Sequence, residues 1–177
     1  MHNNYLPIIT ESTIKIFHNY LKMMNIPDID YCAIGIQHPI SAKSISIMSL
    51  PEWQSHFVYN NYANFDPIRK SVLYSQRTII PISEIDHVDN FGREIMLQRK
   101  KMGIIDGLIF VEREEKYNYM ITLATGYKKF NYLDFLIKYN NCIKLIKRDL
   151  IEIINADAQE FLPSLILPTL NLSVCTK

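Results

Sequence analysis

The chain predicts an α+β domain, an antiparallel sheet covered by helices. Two pairs of alternating apolar segments lie towards opposite ends of the sequence, each pair joined by a short polar link, as antiparallel strands are. Helical periodicity fills the stretches before, between and after them, and the strand–helix–strand alternation of a parallel wind does not recur. The 177 residues, 48% apolar and 21% charged, suffice for one domain with a substantial core and are too few for two of ordinary size.

Residues 9–24 read as an amphipathic helix, because Ile14, Phe17, Leu21 and Met24 recur at steps of three and four. Tyr31 to Gln37 and Lys43 to Ser49 alternate small or polar with apolar side chains around a turn-forming HPISA, which predicts a strand pair. Pro51 and Glu52 open a helix carrying Trp53, Phe57, Tyr59 and Tyr62. Asp66-Pro67 breaks it, since the residue before proline is pushed out of helical geometry. A short helix follows from Ile68 to Tyr74, then an extended edge piece at 78–82 whose Pro81 suits an edge. Asp89 to Met102 forms a polar helix ended by Gly103, which can take a left-handed conformation. Gly107 to Glu112 and Tyr117 to Thr125 form a hairpin around REEK. A long helix, roughly 133–155, shows an unbroken apolar stripe of Leu136, Tyr139, Ile143, Ile146, Leu150 and Ile154. The sequence thus divides into a domain at 1–160 and an irregular apolar tail at 161–177, interrupted by Pro163 and Pro168.

Composition excludes several classes of function. A net charge of +1 gives no attraction to nucleic acid or an anionic membrane. Cys32, Cys142 and Cys175 are odd in number and widely spaced, which fits reduced thiols better than a disulfide framework or a zinc site. There is neither a secretion signal nor an apolar run near the ~18 residues of a membrane span. A cytoplasmic protein is expected. No phosphate-binding loop, nucleophile elbow or zinc motif occurs, and the five histidines stand singly, so no metal, cofactor or catalysis is expected. The Glu112, Glu114, Glu115 run reads as a solvated turn beside Arg113 and Lys116.

The informative stretch runs from Ser49 to Pro67: a Trp at 53, an aromatic four residues on at Phe57, and Asp66-Pro67 thirteen residues after the Trp. Downstream, MGIIDGLIFV (102–111) places Gly103 and Gly107 four apart before a strand, and the next strand carries Thr122. In order and spacing, over roughly residues 8–155, this resembles the ligand-binding domain of the LuxR-type quorum-sensing regulators, which bind acyl-homoserine lactones. The resemblance implies a PAS- or GAF-like α–β–α sandwich, with a central antiparallel sheet of about five strands and the ligand between sheet and helices.

By the same resemblance, the Trp53 indole donates to the lactone carbonyl and Asp66 accepts from the amide N–H. Thr122 meets the amide or 3-oxo oxygen. Phe57 and Tyr62 line the pocket, and Ala33, Ile34 and Met120 house the acyl tail, where each buried methylene contributes about 0.8 kcal/mol. Pro67, Gly103 and Gly107 serve backbone geometry. Read without the resemblance, a single Trp such as Trp53 is more often a core residue than a ligand contact, and Asp66 is equally a turn or cap.

Three positions depart from the family. Ser49 stands where many members carry a ligand-contacting tyrosine, Phe57 where tyrosine is usual, and the region of Pro81 and Ile82 lacks a second tryptophan. Losing one buried hydrogen-bond partner costs about 1–3 kcal/mol, so an amphipathic acyl or lactone-like ligand is expected rather than a standard short-chain one. After Asn155 only 22 residues remain, with two prolines and one basic residue, too few for the family's helix-turn-helix. The expected role is a sensor domain working through a partner, as a homodimer or a heterodimer with a full-length LuxR-type regulator. Two alternatives are a ligand-free interaction module and an enzyme using Ser49 and His56.

Overall fold

The computed structural model describes residues 9–24, 26–41, 43–87, 89–127 and 130–156. The elements are α1 (Glu11–Met23), β1 (Tyr31–Gln37), β2 (Ser44–Met48), α2 (Pro51–Tyr59), α3 (Pro67–Tyr74), β3 (Ile79–Pro81), α4 (Asn90–Lys101), β4 (Asp106–Arg113), β5 (Asn118–Thr125) and α5 (Tyr132–Ala156). The strands form one five-stranded sheet in the order β2-β1-β5-β4-β3, antiparallel throughout. The expected α+β sandwich is therefore present, with both hairpins where the alternation put them.

Alternation along the strands divides the interior in two. Cys32, Ile34 and Ile36 of β1, Ile47 of β2, Leu108 and Phe110 of β4, and Tyr119, Ile121 and Leu123 of β5 pack with α1 and α5. Tyr31, Ala33, Met48, Ile109, Val111, Met120 and Ala124 face the opposite layer, built by α2, α3 and α4. On the first face, Tyr20 of α1 donates to Asp149 of α5 at 3.1 Å, and Arg148 donates to the same carboxylate. That buried carboxylate is thus satisfied where two helices meet.

Gly103 ends α4 at φ +79, the left-handed stop that was expected. Gly107 lies at φ +150, and a Cβ there would fall 2.3 Å from the Leu123 carbonyl oxygen, so β4 and β5 could not close with any larger residue. Two expectations need correction. Tyr62 is not on the helix of Trp53: α2 ends at Tyr59, Asn61 adopts φ 52, and Tyr62–Asn64 form a 3-10 turn. The final helix keeps its expected apolar stripe against the core, Leu136 and Tyr139 partly buried and Ile143, Ile146, Leu150 and Ile154 buried, but its backbone is not continuous. Tyr139 leaves helical geometry (φ −112, ψ 17), which kinks the helix between the buried Phe135 and the buried Ile143. Among the described residues no helix is long and apolar enough to cross a membrane. The tail at 161–177 lies outside the described residues.

Candidate ligand-binding site

A cavity of about 600 Å³ lies between the sheet and the α2–α4 layer. Its origin is legible in the strands. Ala33 and Gly35 of β1, with Ser44 and Ser46 of β2, present almost no side chain to this face, while the opposite face of the same strands carries isoleucines. Small residues leave the space and Met48, Met120 and Ile68 give it an apolar lining. The size is typical of small-molecule sites.

One end of the cavity is polar. Asp66, 3% exposed, is the N-cap of α3: its Oδ1 accepts from the Ile68 N–H at 3.1 Å, and Pro67 occupies the first helical position, where no donor is needed. Arg99 of α4, 5% exposed, grips the same carboxylate with two parallel hydrogen bonds, Nη1 to Oδ1 at 2.7 Å and Nη2 to Oδ2 at 3.0 Å. Its guanidinium lies 5.5 Å from the centre of the Trp53 ring and 5.7 Å from that of Phe57. Burial alone would push the Arg99 guanidinium down, but the charge and hydrogen bonds of Asp66 more than offset this and hold it raised. Gly92 lets α4 pass close to α3, since a Cβ there would meet the Pro67 ring at 3.0 Å.

Arg69 of α3 adds a second buried guanidinium to the wall, its Nη1 donating to the Ala63 carbonyl. Burial lowers its pKa, with Asp66 opposing. Tyr31 adds a phenol whose pKa is raised by burial, against the pull of Arg99. Trp53 is wholly buried, and its indole N–H makes no hydrogen bond of normal length among the described residues. It lies near enough to the Tyr31 phenol to act on it as a hydrogen-bond donor, which lowers that group's pKa against the larger effect of burial.

The structure brings together Asp66, Phe57, Thr122 and Met120 in the cavity wall, with Trp53 in the layer behind. Ile34 also borders the cavity, yet its side chain is packed in the α1/α5 core, so strand alternation leaves the cavity side of β1 and β5 to Ala33, Gly35 and Met120. Tyr62 and Ser49 do not border it. Tyr62 stacks edge-on against Phe57 at 6.0 Å, with its hydroxyl 3.4 Å from His56 Nε2. Ser49 Oγ accepts from the Cys32 N–H at 2.9 Å. Ser49 and His56 are thus held by separate partners.

Sequence reasoning missed Arg99, Arg69 and Tyr31. Arg99 hides in a basic run, but Gly92, Ile95, Met96 and Arg99 form an i, i+3, i+4, i+7 stripe that marks it as inward-facing. Tyr31 shares the alternation of Ala33 and Gly35, and it supplies a phenol on β1 where the expected tyrosine position holds Ser49.

Comparison with solved structures finds the same fold. The N-acylhomoserine lactone-dependent LuxR family transcription factor CepR2 from Burkholderia cenocepacia matches with TM-score 0.55 at 15% identity, over 88% of this chain and 100% of that one. SdiA in complex with octanoyl-rac-glycerol matches with TM-score 0.54 at 13% identity, over 92% and 67% of the two chains. Escherichia coli SdiA in another crystal form matches with TM-score 0.57 at 15% identity, over 94% and 68%. A search of curated protein sequences finds no match. The autoinducer binding domain family matches residues 11–137. That match spans well over half the sequence, and the chain belongs to the autoinducer-binding domain family.

Proposed function

We propose that this chain is a sensor domain that binds an amphipathic acyl signal, an acyl-homoserine lactone or a chemically similar molecule, without transforming it. The observation that carries this reading is the cavity itself: an apolar chamber floored by small strand residues and closed at one end by Asp66, Arg69, Arg99 and Tyr31. CepR2 is described as N-acylhomoserine lactone-dependent and SdiA as binding octanoyl-glycerol, and both share this fold. The ligand's tail lies along Ala33, Gly35 and Met120, its head towards Arg99 and Asp66, and its occupancy is read by a protein partner: a second copy of the chain or a full-length regulator of the LuxR type. A ligand-free interaction module is the second reading, and the empty volume speaks against it, since a domain without a ligand has no reason to keep small residues across one strand face.

The test is thermal unfolding of the purified chain with N-acyl-homoserine lactones and monoacylglycerols of several chain lengths. A ligand at 100 times its dissociation constant stabilises the folded state by about 2.7 kcal/mol. The reading expects a midpoint rise with one range of chain lengths, abolished by Ala33→Leu. The same small shift with every detergent-like compound, retained in Ala33→Leu, would contradict it.

A further inference from the structure

The residues of β1 on the cavity side of the sheet run Tyr31, Ala33, Gly35 and then Gln37, and the last is out of character. Gln37 is wholly buried, and among the described residues neither its Oε1 nor its Nε2 has a hydrogen-bond partner. A buried amide with both ends unspent calls for an explanation. Its surroundings continue the cavity. Gly35, two residues back on the same face, lines it, and so does Ser44, the cross-strand partner of Gln37 on β2. The terminal methyl of Met120 lies over Gly35, 2.9 Å from where a Cβ would stand, so a flexible thioether end covers β1 between Ala33 and Gln37. Asn118, opposite Gln37 on β5, is also buried and polar. Tyr31 marks the other end, where its phenol feels the charges of Arg99 and Asp66. From Tyr31 to Gln37 the strand runs about 20 Å.

We infer that Gln37 is a specificity-determining residue, a second polar contact that takes a hydroxyl on the far end of the acyl chain. The inference rests on the acyl-binding reading above and narrows its ligand class to molecules polar at both ends and apolar between. The amide selects the group. Gln37 offers an acceptor and an N–H donor side by side, and a hydroxyl donates to Oε1 while accepting from Nε2. A methyl terminus leaves both unpaired, and an ionised carboxylate, which only accepts, uses Nε2 and turns an oxygen towards Oε1. Ser44 and Ser46, small residues of the edge strand β2, leave room beside it. Reaching Gln37 requires the Met120 end to turn aside, which an unbranched side chain with several rotatable bonds does at little cost.

The experiment is isothermal titration of the full chain with N-acyl-homoserine lactones and monoacylglycerols carrying octanoyl, decanoyl or dodecanoyl chains, each beside its ω-hydroxy counterpart. At one chain length the ω-hydroxy form should bind roughly tenfold more tightly than its parent. An apolar tail site would show the opposite order, because burying an unpaired hydroxyl is unfavourable. Gln37→Leu should reverse the preference, tightening the parent and weakening the ω-hydroxy form, and should not lower the unfolding midpoint, since the unpaired amide is gone. A Gln37 with a structural role alone would change both affinities together and leave their ratio unmoved. The wild-type ratio decides even if that variant fails to fold. Parents that bind as tightly as their ω-hydroxy forms at every length, or a ratio unmoved by Gln37→Leu, overturn this inference and leave the acyl-sensor reading standing. Binding of none of the probes overturns both.

Discussion

Strands β1 and β5 send Cys32, Ile34, Ile36, Tyr119, Ile121 and Leu123 to one side of the sheet, and Tyr31, Ala33, Gly35, Met120, Thr122 and Ala124 to the other. The first side is filled by α1 and α5 with large side chains. The second leaves about 600 Å³ open, bordered by a buried ion pair. Open space forfeits dispersion contacts, and a buried ion pair is seldom a net source of stability, so the second face is a poor way to hold a fold together. The difference teaches that the α1/α5 face carries the stability, and it supports the proposal that the other is kept for a ligand.

The largest effect on this comparison comes from breaking the ion pair. Asp66→Ala strands Arg99 as an uncompensated buried charge and should cost about 3–5 kcal/mol in urea unfolding. Asp66→Ala with Arg99→Met should recover most of that loss, because the stranded charge goes with it. A loss of affinity in Asp66→Ala therefore does not by itself identify a ligand contact. An additive double-mutant cycle would mean that the two groups do not hold each other.

Next in size is the filled face against the open one. Ile121→Ala, in the α1/α5 core, should cost about 2–5 kcal/mol. Its neighbour Met120→Ala should cost clearly less, because Met120 borders empty space. Equal costs would mean that the cavity face is packed like a core. Ala33→Leu should change stability by less than about 1.5 kcal/mol, since the added carbons enter a void, while weakening acyl binding at least tenfold.

Much of the fold was legible because periodicity speaks for itself: the hairpins, the Gly103 stop and the helix after Asp66-Pro67 lie where alternation and turn chemistry put them, whereas α2 ends at Tyr59, ahead of the break expected at Asp66-Pro67. The kink at Tyr139 was not legible, because its apolar side chain keeps the stripe in phase while only the backbone departs. The site was half legible. Spacing found Trp53, Phe57 and Asp66 on neighbouring elements, but the partner of Asp66 comes from 33 residues away, and a long-range ion pair leaves no local pattern. Arg99 in a basic run resembles a solvated residue until its helical phase is compared with Ile95 and Met96.

The smallest expected effect concerns Cys32, whose side chain points into the filled face. Burial pushes its thiol up to about 12. The unfolded thiol ionises near ~8.5, so this group's stabilising contribution is complete below that pH and is lost as pH rises towards 12. Peptide mapping after alkylation at pH 8 should find Cys142, which is half-buried, labelled in the native protein and Cys32 labelled only after unfolding. Ready native labelling of Cys32 would mean that the filled face opens locally.

The most direct test of the two-face account is methyl NMR of methionine- and isoleucine-labelled protein titrated with octanoate and with N-octanoyl-homoserine lactone. The account predicts saturable shifts of Met48, Met120 and Ile68 around the cavity, with Met23 on α1 and Ile153 on α5 unmoved. Shifts confined to Met23 and Ile153, or spread evenly over both faces, would contradict it.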